Sequence, residues 1–333
     1  MRRALVLLAL LPLPALAEPV AATDLLGREV ALDRPAERVV AGNITALGQM
    51  LALALEPAAT FCAPEERRPA AYLRRQRNMV VPADTPCISN LDWSIDWEAV
   101  AATDADLFVG WDEEEAAVAA TILPFFGTAT YETTGQGDSL ETYEASLRGI
   151  ARLTGREAEA EAALDATRAR IEAYANRAAE RAPEPVTALH VGTQDRRGFF
   201  VFAQGSLNCR LLDRIADCVA PGAPDDFYVE GTSEMILAVD PEVILLLDYA
   251  GGGVGSGEDA DAFLEALSAD PLWGELRAVR AGRVHLLPHD ARASSVWGVS
   301  DYLDTVAPLL YPDIFPAPLT DAEVAAALGR SAP

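Results

Sequence analysis

Short apolar runs alternate along this chain with stretches whose apolar residues recur at helical spacing. Val39 to Ala41 after Arg38, Ala58 to Cys62, Asp106 to Gly110, Val186 to Val191, Val243 to Leu247 and Arg283 to Leu287 read as short buried strands. Between them, Ile44 to Leu55, Glu98 to Ala101, Glu113 to Pro124, Asn208 to about Asp217 and Asp261 to Leu267 read as helices, and Ser300 to Leu310 as the last one. Asp24 to Leu32 reads as a hairpin turning at Gly27, and Asp270 to Trp273 as a turn. Phe199, Phe200 and Phe202 fall in a stretch read as a loop, and the long polar connection from Cys62 to Ile88 is a place for function. Strands alternating with helices predict an α/β fold with mostly parallel sheets covered on both faces.

Mid-chain the pattern changes. Ser139 to Leu153 reads as a helix ended by Gly155, and Arg156 to Arg181 as a second one, rich in Ala, Glu and Arg, without Gly or Pro. A helix of that length spans about 39 Å, which suits a rigid rod between two lobes. The expected division is therefore an N-terminal lobe over 18–153, a linker helix over 154–182 and a C-terminal lobe over 183–333.

The two lobes carry matching segments. Ser94-Ile95-Asp96-Trp97-Glu98 leads through Asp104 and Asp106 into Leu107-Phe108-Val109, and Gly231-Thr232-Ser233-Glu234 leads through Asp240 and Glu242 into Val243-Ile244-Leu245. Each reads as a short helix opened by an acid, an Asp-containing turn and a buried strand. A first-turn acid is favoured by the helix dipole alone. One such acid per lobe, Glu98 and Glu234, is also what docking on a two-fold symmetric partner requires.

Charge and export narrow the partners. The 51 acidic residues face 26 basic ones, giving a formal charge of −25 at pH 7, which argues against nucleic acid and anionic membranes. Every basic residue is arginine, so lysine Schiff-base chemistry and a Walker lysine are excluded. Arg2 and Arg3 precede an apolar run from Ala4 to Leu13, and Ala15-Leu16-Ala17 fits a signal peptidase, so cleavage is expected after Ala17. That run is shorter than the roughly 20 residues a membrane span needs, and no cysteine stands near the cleavage site to take a lipid. The expectation is a freely diffusing periplasmic protein. In such a compartment four cysteines point to disulfides. Neighbourhood in sequence pairs Cys62 with Cys87 and Cys209 with Cys218. The second pair, if on one unbroken helix, would be about 13 Å apart, too far to bond; either a helix end falls between them or one or both stay free.

Five features together, covering nearly all of residues 24–310, resemble the periplasmic binding proteins of ABC importers for ferric siderophores, haem and cobalamin. They are Asp24, Gly27-Arg28, Pro35 and Arg38-Val39-Val40; the two acid-bearing units at Glu98 and Glu234; Leu153-Thr154-Gly155-Arg156 leading into the long helix; and the tail from Asp270-Pro271-Leu272-Trp273 to Gly282-Arg283-Val284-His285. The resemblance implies two α/β lobes joined by a single backbone helix, a ligand held in the cleft between them, only modest domain closure, and Glu98 and Glu234 engaging arginines of a permease dimer. It implies a monomer that captures and delivers without chemistry of its own. The cargo is then a small-molecule metal chelate, a ferric siderophore first, with haem or a corrinoid as alternatives.

Cleft residues are sought in the loops at the C-terminal ends of the parallel strands. Arg67, Arg68, Arg74, Arg75 and Arg77 place five arginines within eleven residues of a chain this acidic, and their planar donor forks suit carboxylate, catecholate or hydroxamate oxygens. A solvated basic face is the competing reading of the same stretch. Tyr72 lies among them, Trp111 directly follows its strand, and Arg197, Phe199, Tyr249, Arg292 and Trp297 come from loops of the second lobe. His190 and His285 sit in apolar strands as core residues, and with His289 they make no cluster for a bare metal ion. Tyr72, Tyr249 or His289 would serve as an axial haem ligand. An exported hydrolase is the rival class: His289, Asp290, Ser294 and Ser295 are close in sequence, but no Gly-x-Ser-x-Gly elbow is present. Gly251-Gly252-Gly253 lacks the lysine of a phosphate loop.

Overall fold

The computed structural model describes residues 18–62, 75–76, 79–82, 84–89, 94–111, 113–128, 139–195, 198–248, 264–265, 267, 269–287 and 295–329. The chain enters through a hairpin, β1 (Val20–Thr23) against β2 (Glu29–Leu32), with Gly27 at φ 78° in the turn. Buried Asp24 fastens it: its carboxylate accepts from the backbone N–H groups of Leu26, Arg28 and Gly127 and pairs with the Arg28 guanidinium.

The first lobe is a four-stranded parallel sheet in the order β4 (Ala59–Thr60), β3 (Val39–Ala41), β7 (Leu107–Gly110), β8 (Phe125–Gly127). Helices α1 (Ile44–Ala52), α2 (Trp97–Ala101) and α3 (Glu113–Ala119) belong to it, and a small ladder joins β5 (Arg75–Gln76) to β6 (Met79–Val80). The second lobe is a mixed six-stranded sheet. β9 (Thr187–Asp195), β13 (Val243–Asp248) and β14 (Val284–Leu287) run parallel, and β11 (Asp217–Cys218) joins β9 in the same sense. β10 (Gly198–Phe202) and β12 (Tyr228–Glu230) extend the sheet antiparallel. Its helices are α6 (Leu207–Leu212), α7 (Ser233–Val239), α8 (Pro271–Gly274) and α9 (Arg277–Arg280).

Between the lobes run α4 (Leu140–Thr154), capped by Ser139 and ended by Gly155 at φ 67°, and α5 (Glu157–Arg181). At 25 residues α5 is about 38 Å long. It is no free rod. Ala160, Ala163, Leu164, Thr167, Ile171, Tyr174 and Ala178 form a buried stripe at intervals of three and four. That stripe packs on α4, on α10 (Val296–Leu310) and on α11 (Asp321–Ala327).

Strand alternation divides the apolar residues into three clusters. Val39, Ala41, Leu107 and Val109 of the first sheet and Ala188, Val243, Leu245 and Leu247 of the second face inward and share one continuous core with α1, α4, α5 and α10. The intervening Val40 and Phe108 face outward onto α2 and α3. Leu189, Val191, Ile244 and Leu246 do the same beneath α7, α8 and α9. The lobes therefore share an inner core, and each keeps an outer one.

Four expectations need correction. Phe199 to Phe202 lie on strand β10 rather than in a loop, because the chain turns back after Asp195 and pairs with β9. Phe125–Gly127 forms a strand the pattern did not announce. The helix expected from Ser300 starts at Val296, where Ser295 caps it by accepting from the Gly298 N–H at 3.0 Å. It is not the last, since α11 follows with Thr320 and Glu323 in a capping box.

Candidate functional site

The two acid-bearing units are built alike to the level of single hydrogen bonds. Glu98 and Glu234 are exposed in the first turns of α2 and α7. Asp96 caps α2 by accepting from the Ala99 N–H at 3.0 Å, and Thr232 caps α7 by accepting from the Met235 N–H at 3.2 Å. Two residues beyond each acid a buried side chain, Val100 or Ile236, anchors the helix on its outer core. Six residues beyond it, Asp104 (φ 50°) and Asp240 (φ 38°) turn the chain through the left-handed region, which aspartate tolerates better than most residues.

Each unit then clasps the start of the neighbouring strand. The Asp106 carboxylate accepts from the backbone N–H groups of Glu37 and Arg38 at 2.9 and 3.0 Å, just before β3. The Glu242 carboxylate accepts from the Thr187 N–H at 3.0 Å and from its hydroxyl at 3.2 Å, where β9 begins. The short turns after α2 and α7 put the helix C-termini beside the strand starts. The helix N-termini, with Glu98 and Glu234, thus lie toward the end where the parallel strands finish. That is the end at which open α/β sheets hold ligands.

At this end the structure places the other candidates unevenly. Trp111 follows β7, half-buried, its backbone N–H donating to the Glu115 carboxylate at 2.6 Å. Trp297 stands in the first turn of α10, packed against the shared core. The Phe199 ring meets Trp273 edge-on at 5.8 Å in the outer cluster of its lobe. Its neighbour Phe200 faces the other way, against Phe202 and the exposed Tyr228 at 5.2 and 5.3 Å. Arg67, Arg68, Tyr72, Arg74, Arg77, Arg197, Tyr249, His289 and Arg292 lie outside the described residues, as does the side chain of Arg75.

A polar joint lies where α1, α4, α5 and α10 meet. Fully buried Gln49 donates to the Tyr143 carbonyl at 2.8 Å and accepts from the Val296 N–H at 3.4 Å. Thr167 of α5 donates to the Val296 carbonyl at 3.2 Å. Residues far apart in sequence are thereby fixed to one another.

Both cysteine pairs are bonded. Cys62 and Cys87 sit with Cα atoms 5.5 Å apart, and Cys209 and Cys218 with Cα atoms 5.6 Å apart. The second bond exists because α6 stops at Leu212 and Cys218 belongs to β11; the Asp213 carboxylate accepts from the Cys218 N–H at 2.9 Å and holds the turn between them. His190 is a core residue, its ring 4.3 Å from that of Phe202 and 5.8 Å from that of Tyr302. Among the described residues no three His, Cys, Asp or Glu side chains are grouped to hold a metal ion, and no helix is long and apolar enough to cross a membrane.

The sequence reading missed Asp106, Glu242 and Gln49. The first two had a signal, since an acid stands eight residues after Glu98 and eight after Glu234. Gln49 had none.

Two α/β lobes around a long helix, with an exposed acid at equivalent places on each, define a two-lobed solute-binding protein. The chain belongs to the periplasmic binding protein family, whose model matches residues 39–291. Solved structures share the fold. A periplasmic binding protein from Veillonella parvula superposes with a TM-score of 0.69 at 22% identity, over 91% of this chain and 95% of that one. The petrobactin-binding protein YclQ of Bacillus subtilis gives 0.67 at 15% identity, over 88% and 99%. The catecholate-siderophore-binding protein VctP of Vibrio cholerae gives 0.64 at 18% identity, over 88% and 99%. No curated protein matches.

Proposed function

We propose that this protein captures an iron chelate, a ferric siderophore, between its lobes in the periplasm and delivers it to the permease dimer of an ABC importer. The observation that carries the reading is the duplicated unit that presents Glu98 and Glu234. Two exposed acids, each two residues past a helix cap and each with a buried anchor and a carboxylate clasp at the matching position, suit a partner with two equivalent cationic sites. Charge pairs across such a contact govern orientation and encounter rate and weaken with salt.

The lobes of this reading are residues 18–153 and 183–333, joined through 154–182, with residues 1–17 removed on export. The ligand class is supported by the arginines between Cys62 and Cys87 and by the named cargoes of structural relatives, petrobactin and catecholate siderophores among them. Arg67, Arg68, Arg74, Arg75 and Arg197 supply cationic donors to anionic chelate oxygens. Tyr72, Trp111, Tyr249, Arg292 and Trp297 complete the wall. Phe199, committed to Trp273, makes the weakest claim of the set.

Native mass spectrometry of the exported form, offered an equimolar mixture of ferric siderophores, hemin and cyanocobalamin, tests this. Retention of a ferric siderophore supports the reading. Retention of hemin or the corrinoid alone overturns the ligand class, and retention of nothing overturns the chelate reading as a whole.

A further inference from the structure

Glu98 stands on a helix too short to place itself. Helix α2 has five residues, far below the length at which a helix is stable in isolation, so its position is set by its Val100 anchor and by what grips its N-terminus. That grip can be followed bond by bond back to the Cys62–Cys87 disulfide.

Cys87 lies beside Thr60, at the end of β4, in a parallel bridge. The Thr60 N–H donates to the Pro86 carbonyl at 2.9 Å and the Ile88 N–H to the Thr60 carbonyl at 3.1 Å. The disulfide ties the bridged Cys87 itself to Cys62, two residues past Thr60 on the other stem. Ser89 closes the junction: its hydroxyl accepts from the Cys62 N–H and donates to the Cys62 carbonyl, both at 2.8 Å. Ser89 also pairs antiparallel with Ile95, and the Asp96 N–H donates to the Ile88 carbonyl at 2.7 Å. Asp96 is the cap of α2, and Glu98 follows two residues later.

The second lobe sets its acid by other means. Beside the Thr232 cap, the Ser233 hydroxyl donates to the Asp270 carboxylate at 2.9 Å and accepts from the Trp273 indole N–H at 3.2 Å. The disulfide of that lobe, Cys209–Cys218, joins α6 to β11 and has no bond to α7 among the described residues.

We infer that the Cys62–Cys87 disulfide, with Ser89 and Asp96, is a positioning device for Glu98, so that the first lobe presents its docking acid only when this disulfide is formed. The inference rests on the docking role of Glu98 for its function, but its structural core is measurable without the permease.

The experiment is amide hydrogen exchange, resolved to the Trp97–Ala102 and Ser233–Val239 peptides, on the wild type and the variants C62S/C87S, S89A and C209S/C218S. C62S/C87S is expected to speed exchange in Trp97–Ala102 by about tenfold or more, with S89A changed in the same direction by a smaller factor and Ser233–Val239 unaltered. C209S/C218S is expected to leave Trp97–Ala102 as it is. Unchanged exchange at Trp97–Ala102, or an increase shared equally by both peptides, overturns the inference. Should C62S/C87S fail to fold, S89A decides by the same comparison. Failure of the docking reading would appear elsewhere, as uptake that survives charge reversal at Glu98 and Glu234.

Discussion

Asp106 and Glu242 occupy the same place in the two lobes and make the same kind of bond: each carboxylate accepts from the backbone where the adjacent parallel strand begins. One side chain is a methylene longer than the other, yet the clasp is kept. Replacing Glu242 by alanine leaves the Thr187 N–H without its acceptor at a partly buried position, whereas the donors freed by Asp106→Ala lie at the exposed surface. Glu242→Ala is expected to lose about 1–3 kcal/mol in urea unfolding and Asp106→Ala about 0.5–1.5 kcal/mol, with the two losses additive because the clasps share no partner. Asp106→Asn, which keeps an acceptor oxygen, is expected to lose less.

Gly149 sets two effects against each other. In the middle of α4, alanine would be favoured over glycine by about 1 kcal/mol of helix propensity. A Cβ there would collide with Cζ of Phe126 and stand 2.8 Å from its Cε2, on a fully buried ring. Overpacking of this kind costs about 1–3 kcal/mol, so Gly149→Ala is expected to destabilise the protein despite the gain in propensity. Combining it with Phe126→Leu is expected to restore part of the loss, measured by thermal unfolding.

Burial, assisted by the Arg283 charge, pulls the His285 imidazole below its ordinary pKa. Its Nε2 is enclosed without a hydrogen-bond partner among the described residues. The fold thus favours the neutral ring, while the unfolded chain takes up a proton near pH 6.5. Stability from this site is complete above about pH 6.5 and is lost as pH falls toward the lower folded value. His285→Gln is expected to show a shallower drop in Tm between about pH 7 and pH 5 than the wild type.

Much of this architecture was legible in the chain. The buried strands, the hairpin at Gly27, the helix bounded by Ser139 and Gly155, and the long helix after it all rest on local signals that tertiary packing did not override. The matched acids were visible because the repeat preserves spacing as well as residue type. What escaped detection depended on partners distant in sequence. Phe125–Gly127 is a strand because β7 lies beside it, not because three residues alternate. Phe199–Phe202 follows two arginines and looked like a loop until β9 and β12 enclosed it. The long helix read over Arg156 to Arg181 was visible from its length and composition; its packing face was not, because four of the seven residues in that stripe, Ala160, Ala163, Ala178 and Thr167, are small and hydrophobicity alone understates them. Gln49 reads as an ordinary polar residue in an apolar helix, and only the folded chain brings Tyr143 and Val296 to it.

The most direct test of the account is uptake of a radiolabelled ferric siderophore by cells carrying the protein with Glu98→Arg and Glu234→Arg together, alongside the ligand affinity of the purified variant. Uptake is expected to fall by about tenfold or more while affinity stays within about twofold, since the acids lie on exposed first turns and, in the proposed role, meet the partner rather than the ligand. Undiminished uptake would contradict the docking role of the paired acids, and a matching loss of affinity would place them in the ligand site instead.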